Sequence, residues 1–237
     1  MNIVVVPRDV SETKAGEFAR QYGWLAATKS RQRSPGLVLS GRFDAAAIRS
    51  SLAAPFIGGV EFDPGRTQLL GQRFRTHLAA GGTGLNLRTD TAYHCEAARL
   101  FAGALRERLG ADCPGDLELA LHEVVANALI HGNLGVTSCG QGVEDFAEYC
   151  RSLDAMLAHP QRVQRRVEIS AVVNSNGLEV AVQDEGAGYD SEAARQDAAD
   201  SLRLHGLAIA SAAARITVED RGRCTIMTFS ADRGVAE

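Results

Sequence analysis

Residues 165–190, RRVEISAVVNSNGLEVAVQDEGAGYD, constrain the fold more than any other stretch. Two runs of alternating apolar and polar residues flank an Asn-Gly pair, the signature of a β-hairpin. An isolated two-stranded ribbon is marginal in water and needs a partner for its apolar face. Residues 118–133, ELALHEVVANALIHGN, supply one. At helical spacing Leu117, Leu121, Val124, Val125 and Ala128 are predicted to pack on the sheet. The same segment places Glu123, Asn127 and His131 four residues apart, one above another on a helix.

The neighbouring segments extend the pattern. LNLRTD (85–90) reads as a strand, and residues 91–109 as one amphipathic helix closed by Gly110. Asp116 is placed to cap the helix that follows. A further helix is expected within 142–157, ended by Pro160, and is read as an insertion covering the sheet in preference to a partner-docking surface. Residues 206–216, GLAIASAAARI, form a small-residue helix, and 216–230 a last hairpin around Arg221-Gly222. This order predicts an α+β fold with a mixed, mostly antiparallel sheet and helices on one face.

Residues 1–84 read differently. Short apolar runs at 2–7, 37–41 and 56–62 alternate with helical runs at 11–27 and 44–54, so a small α/β unit is expected. Ser11 is its first helix cap, and Asp9 an acid after its first strand. HLAAGGTG (77–84) is rich in glycine and reads as a linker. The division expected is 1–84, a small unit without an assigned role, and 85–237, the unit bearing the chemistry.

Charge narrows the partners. The net charge is −4 and the sequence pI about 5.9, which argues against nucleic acid or an anionic membrane surface. No apolar run approaches the ~20 residues that cross a bilayer. The start, MNIVVVPRD, lacks the basic stretch of a secretory signal. Five scattered cysteines without a C-x-x-C pair suit reduced thiols. The expected location is therefore the cytoplasm.

A carboxylate among apolar residues costs several kcal/mol unless something pairs with it. A site needing a base and a metal-ligand oxygen accounts for Glu123 and Asn127; side chains that simply face water account for them equally well. In VAVQDEGAGYD an apolar strand ends at Asp184, and Gly186 and Gly188 follow. A carboxylate there can accept a hydrogen bond from an exocyclic amine such as that of adenine, and glycines let a flat ring approach the backbone. Gly206 precedes a helix, where free amides attract phosphates. Arg162, Arg165 and Arg166 are read as solvated charge flanking a strand. His94 is not read as a phosphoacceptor.

Taken together, E-x-x-x-N-A-x-x-H-G, D-x-G-x-G about fifty residues on, G-L before a small-residue helix and a late G-x-x-T resemble the GHKL (Bergerat-fold) ATPase superfamily. The likeness spans about residues 85–232 and is nearest to the serine kinases that serve as anti-sigma factors in bacterial partner switching. It implies a two-layer α/β sandwich binding ATP and Mg²⁺. It implies Glu123 as general base and Asn127 as magnesium ligand. His131 and Gly132 then close the first box, Asp184, Gly186 and Gly188 hold the adenine, Gly206 and Leu207 meet the phosphates, and Thr225 lies near the adenine. The implied partners are a sigma factor, an antagonist protein carrying the acceptor serine, or both; a homodimer is compatible with the sequence. One departure stands out: Leu204 occupies the place of the usual first glycine of the phosphate box. It opens an alternative, a regulator that acts by binding alone; the ATP-binding half of a histidine kinase is a further alternative, disfavoured because no phosphoacceptor helix pair is read before residue 85.

Overall fold

The computed structural model describes residues 3–27, 35–66, 69–137, 143–188 and 202–230. Nine strands join in one sheet of order β2-β1-β3-β4-β5-β6-β7-β9-β8. The first five, β1 (Val4–Pro7), β2 (Leu25–Ala26), β3 (Gly36–Ser40), β4 (Phe56–Glu61) and β5 (Thr83–Arg88), pair in parallel. The other four are β6 (Arg166–Asn174), β7 (Gly177–Asp184), β8 (Arg215–Glu219) and β9 (Cys224–Ser230). They continue the sheet antiparallel from β5. The fold is thus α+β with a mixed sheet.

Helices cover both faces of the whole sheet: the helices of 85–237 that pack on it lie on one face, as expected for that unit, and two helices of residues 1–84 lie on the other. On one face lie α2 (Ala45–Leu52), α5 (Ala97–Leu109), α6 (Leu117–Ala126) and α9 (Leu202–Ala213). Their apolar sides meet Leu85, Leu87, Val167, Ile169, Val180 and Met227 in one core. On the other face, α1 (Glu12–Gln21) and α3 (Gln72–Ala79) pack with Val5, Leu37, Leu39 and Ile57. The parallel strands carry apolar residues on both faces, as strands between two helix layers must. Leu37 and Leu39 face one core while Val38 faces the other.

The stretch read as a linker is structural. His77 and Leu78 are buried in α3, and Thr83 opens β5, so the boundary at 84 and 85 falls inside a central strand. Its glycines serve close packing. A Cβ on Gly82 would stand 2.2 Å from the Ala171 carbonyl oxygen, and one on Gly84 2.5 Å from the Phe74 ring.

Polar groups fasten α3 to the sheet. Glu168 on β6 accepts from the Gly71 amide, which supplies the helix start with a cap its own sequence lacks. Glu168 also accepts from Asn86 Nδ2 at 2.8 Å. His77 sits between Ser170 Oγ and Glu179 Oε1, each at 3.0 Å. The serine–imidazole–carboxylate order resembles a hydrolytic triad, but Ser170 and His77 are each 2% exposed, so the array is a buried clamp.

Three local readings also change. The helix read over 91–109 is two, α4 (Thr89–His94) and α5, broken at Glu96 with φ +51°. Asp116 precedes α6 without a side-chain capping bond, whereas Ser11 Oγ does accept from the Lys14 amide. The hairpin closes one residue early, with Asn174 paired to Gly177.

Candidate functional site

The apolar residues of α6 do what their spacing demands. Leu117 and Leu121 are fully buried, each contributing about 1.5–3 kcal/mol. After Ala126 the helix widens into π-helical turns over Asn127–Leu134. Such turns are rare and concentrate at functional sites. They end at Gly135, φ +69°, and Val136 returns its amide to the Ile130 carbonyl. His131 Nδ1 lies 2.6 Å from the Val136 carbonyl oxygen, so the ring tethers this exit.

The π-turns press the helix against the end of β7. Asp184, the last residue of that strand, is buried, and its amide donates to the Arg223 carbonyl. Its Oδ1 accepts from the Gly186 amide at 2.7 Å. A Cβ on Gly132 would stand 2.6 Å from the Asp184 carboxyl carbon, and one on Gly186 2.3 Å from the Gly132 carbonyl oxygen. Gly188, φ +75°, has equally little room beside the Arg221 carbonyl, at 2.2 Å. These glycines let three backbone segments converge on one carboxylate. Thr225 pairs with Val182, two residues before Asp184, so Thr225 and Asp184 share a face of the sheet.

Asn127 and Glu123 lie on the same helix as Gly132. In a π-turn the residue five positions on stacks above, which puts Asn127 one turn below Gly132. Glu123 lies about one α-turn further away. The Asn127 Nδ2 atom is buried without a hydrogen-bond partner. The Glu123 side chain is 28% exposed, with His122 Nδ1 3.8 Å away. The structure therefore brings together Gly132, Asp184, Gly186, Gly188 and Thr225, and sets Asn127 and Glu123 along the adjoining helix.

Gly206 is placed otherwise than expected. Helix α9 opens at Leu202, so Gly206 lies in its second turn, not before its start. The amides without an intrahelical acceptor are those of the first four helical residues, which excludes Gly206. Leu207 follows it in α9, a helix that packs along α6 through small residues such as Ala210 and Ala213. The stretch 189–201, between the Asp184 turn and α9, lies outside the described residues.

The arginines read as solvated are in structural use. Arg162 donates to the Leu134 carbonyl and Arg165 to the Asn133 carbonyl, completing acceptors that the helix end leaves open. Arg166 is 5% exposed, and burial lowers its pKa. Sequence reasoning missed Asn133, which is fully buried. Its Nδ2 donates to Thr89 Oγ1 and the Arg166 carbonyl, and its Oδ1 accepts from the Glu185 amide. This one amide ties the π-turns to three strand ends. Its only signal in the sequence was a polar residue directly after His131-Gly132.

Among the described residues no group of three or more His, Cys, Asp or Glu side chains is poised for a metal. A cation here would rely on one amide, nucleotide phosphates and water, a set that suits Mg²⁺. No protein-family model matches the chain, and no curated protein matches it significantly.

Proposed function

We propose that the chain binds ATP with Mg²⁺ at the Asp184 turn and transfers the γ-phosphoryl group to a serine of a partner protein. The observation that carries the reading is the seating of Gly132 against Asp184. A backbone that must be glycine faces a buried carboxylate at a strand end, and the helix before it holds an unpartnered amide. Asp184 accepts from the adenine amino group, with Thr225 beside it. Gly186 and Gly188 shape the turn beside that carboxylate. Asn127 would hold the metal through its side-chain Oδ1; its Nδ2 is buried without a hydrogen-bond partner among the described residues, so the amide is not tied down by a bond on that side. When bound, Mg²⁺ neutralises charge on the phosphates. Glu123 takes the proton of the seryl hydroxyl as its oxygen bonds to the γ-phosphorus and the β–γ bridging bond breaks, leaving ADP. The family resemblance makes the partner a small antagonist protein and the wider role an anti-sigma-type switch.

A second reading has its own support. With α9 open from Leu202 and Leu204 in the glycine position, the phosphate side has fewer free amides than this chemistry uses. The chain is then a regulator that binds nucleotide and acts by complex formation. The histidine-kinase reading loses ground: α1, α2 and α3 all pack on the sheet, and no acceptor helix pair stands apart from it among the described residues.

Calorimetric titration with a non-hydrolysable ATP analogue, with and without Mg²⁺, tests binding. Labelled-phosphate transfer to serine-bearing candidates tests the kinase. Asp184→Asn is expected to weaken binding at least tenfold; Glu123→Gln is expected to preserve binding and abolish transfer. Binding without transfer to any candidate favours the second reading. No binding at all refutes both.

A further inference from the structure

Glu185 follows Asp184, and three other segments of the chain are bonded to it. Its amide donates to Asn133 Oδ1, in the π-turns, at 2.8 Å. Its Oε2 accepts from the Arg166 amide, at the start of β6, at 2.9 Å. Arg66 Nη2 reaches both of its carboxylate oxygens, at 2.9 and 2.8 Å, from the loop between β4 and α3.

The loop is built to present that arginine. Asp63-Pro64-Gly65 makes a tight turn, in which proline presets φ and glycine follows without steric cost. Asp63 Oδ1 accepts from the Gly65 amide at 2.9 Å, and the Asp63 carbonyl from the Arg66 amide at 3.3 Å. Arg66 Nη1 also donates to the Gln164 carbonyl at 3.1 Å, just after α8 (Pro160–Val163). Helix α7 (Val143–Leu157) was expected to cover the sheet, and it does not: it packs on α8 and the π-turns.

We infer that Arg66 and Glu185 are positioning residues for the adenine side of the proposed nucleotide site, so that residues 1–84 bear on nucleotide affinity through this contact. The inference rests on the nucleotide reading of the Asp184 turn. Three successive amides of that turn are committed: Asp184 to the Arg223 carbonyl, Glu185 to Asn133, and Gly186 to Asp184 Oδ1. The Asp184 carboxylate is aimed only as well as these peptides are fixed. The Glu185 side chain anchors the middle residue to β6 and to the loop of the first 84 residues. A turn held in its binding conformation before the ligand arrives loses less freedom on binding. The Arg66 and Glu185 side chains are 42% and 36% exposed, so the effect of the pair is modest.

The test is calorimetry of the full chain with adenosine and, with Mg²⁺, a non-hydrolysable ATP analogue. Arg66→Ala and Glu185→Ala are each expected to weaken both ligands about threefold, the size an exposed pair supplies. The double variant is expected to bind no more weakly than Glu185→Ala alone, because the two residues act through one contact. High salt is expected to narrow the gap between parent and Arg66→Ala for adenosine. Arg66→Ala is expected to melt within about 4 °C of the parent. A merely structural tie lowers melting and leaves both affinities in place, which overturns the inference. A long-range charge effect gives opposite signs: Arg66→Ala weakens the ATP analogue, Glu185→Ala tightens it, and adenosine is unmoved. That pattern overturns it too, as do losses that add in the double variant. A parent that binds neither ligand refutes the nucleotide reading itself, and this inference with it.

Discussion

Glu168 offers a worked test of how α3 is held. Its carboxyl lies under that helix, and burial raises its pKa from the ordinary 4.5 to about 7, against the opposing bonds from Gly71 and Asn86. The folded state therefore holds a proton that the unfolded chain has released between those two values. Stability from this group is complete below about pH 4.5 and is lost as pH rises to about 7. A move of that size corresponds to about 3 kcal/mol. Glu168→Gln removes the titration and keeps an acceptor for the Gly71 amide. Urea denaturation of both proteins from pH 5 to pH 8 should show the stability difference changing by about 2.5 kcal/mol, since part of the effect is already lost at pH 5. The parent should lose ground relative to the variant as pH rises. A difference constant across the series would refute the reasoning, and one of opposite sign would show that the carboxylate is held charged.

Three other perturbations follow from the site. Gly132→Ala places a methyl against the Asp184 carboxyl and should cost about 1–3 kcal/mol while weakening ATP-analogue binding at least tenfold, read by urea denaturation and calorimetry. Asn133→Ala removes bonds to Thr89, Arg166 and Glu185 and strands buried partners, so denaturation should show a loss of about 2–4 kcal/mol. Arg66→Ala breaks, among the described residues, the exposed pair with Glu185 and one bond to the Gln164 carbonyl, and its effect should stay near 1 kcal/mol or below, shrinking with added salt.

Much of the local structure was legible in the residues. The alternation of Val167, Ile169 and Ala171 against Leu178, Val180 and Val182 specified a hairpin with one buried face. The spacing of Leu117, Leu121, Val124 and Val125 specified which side of α6 is covered. Asp184 at a strand end, with glycines after it, was readable as a turn where backbones come close. Such signals lie within four residues of one another, where helix and strand periods act.

Tertiary structure decided what depends on partners far along the chain. Gly82 and Gly84 read as a flexible link until Ala171 and Phe74 were seen against them. Arg166 read as surface charge until the sheet continued past it through β5. The widening of α6 into π-turns, and the clamp of Asn133 on residues 44 and 33 positions away, answer to contacts that no local period encodes. The sequence by itself set the elements and their apolar faces, because those follow from neighbouring side chains. The joining of two strand sets into one sheet, and the backbone contacts around Asp184, arose only from packing, because burial and close approach are properties of the assembled core.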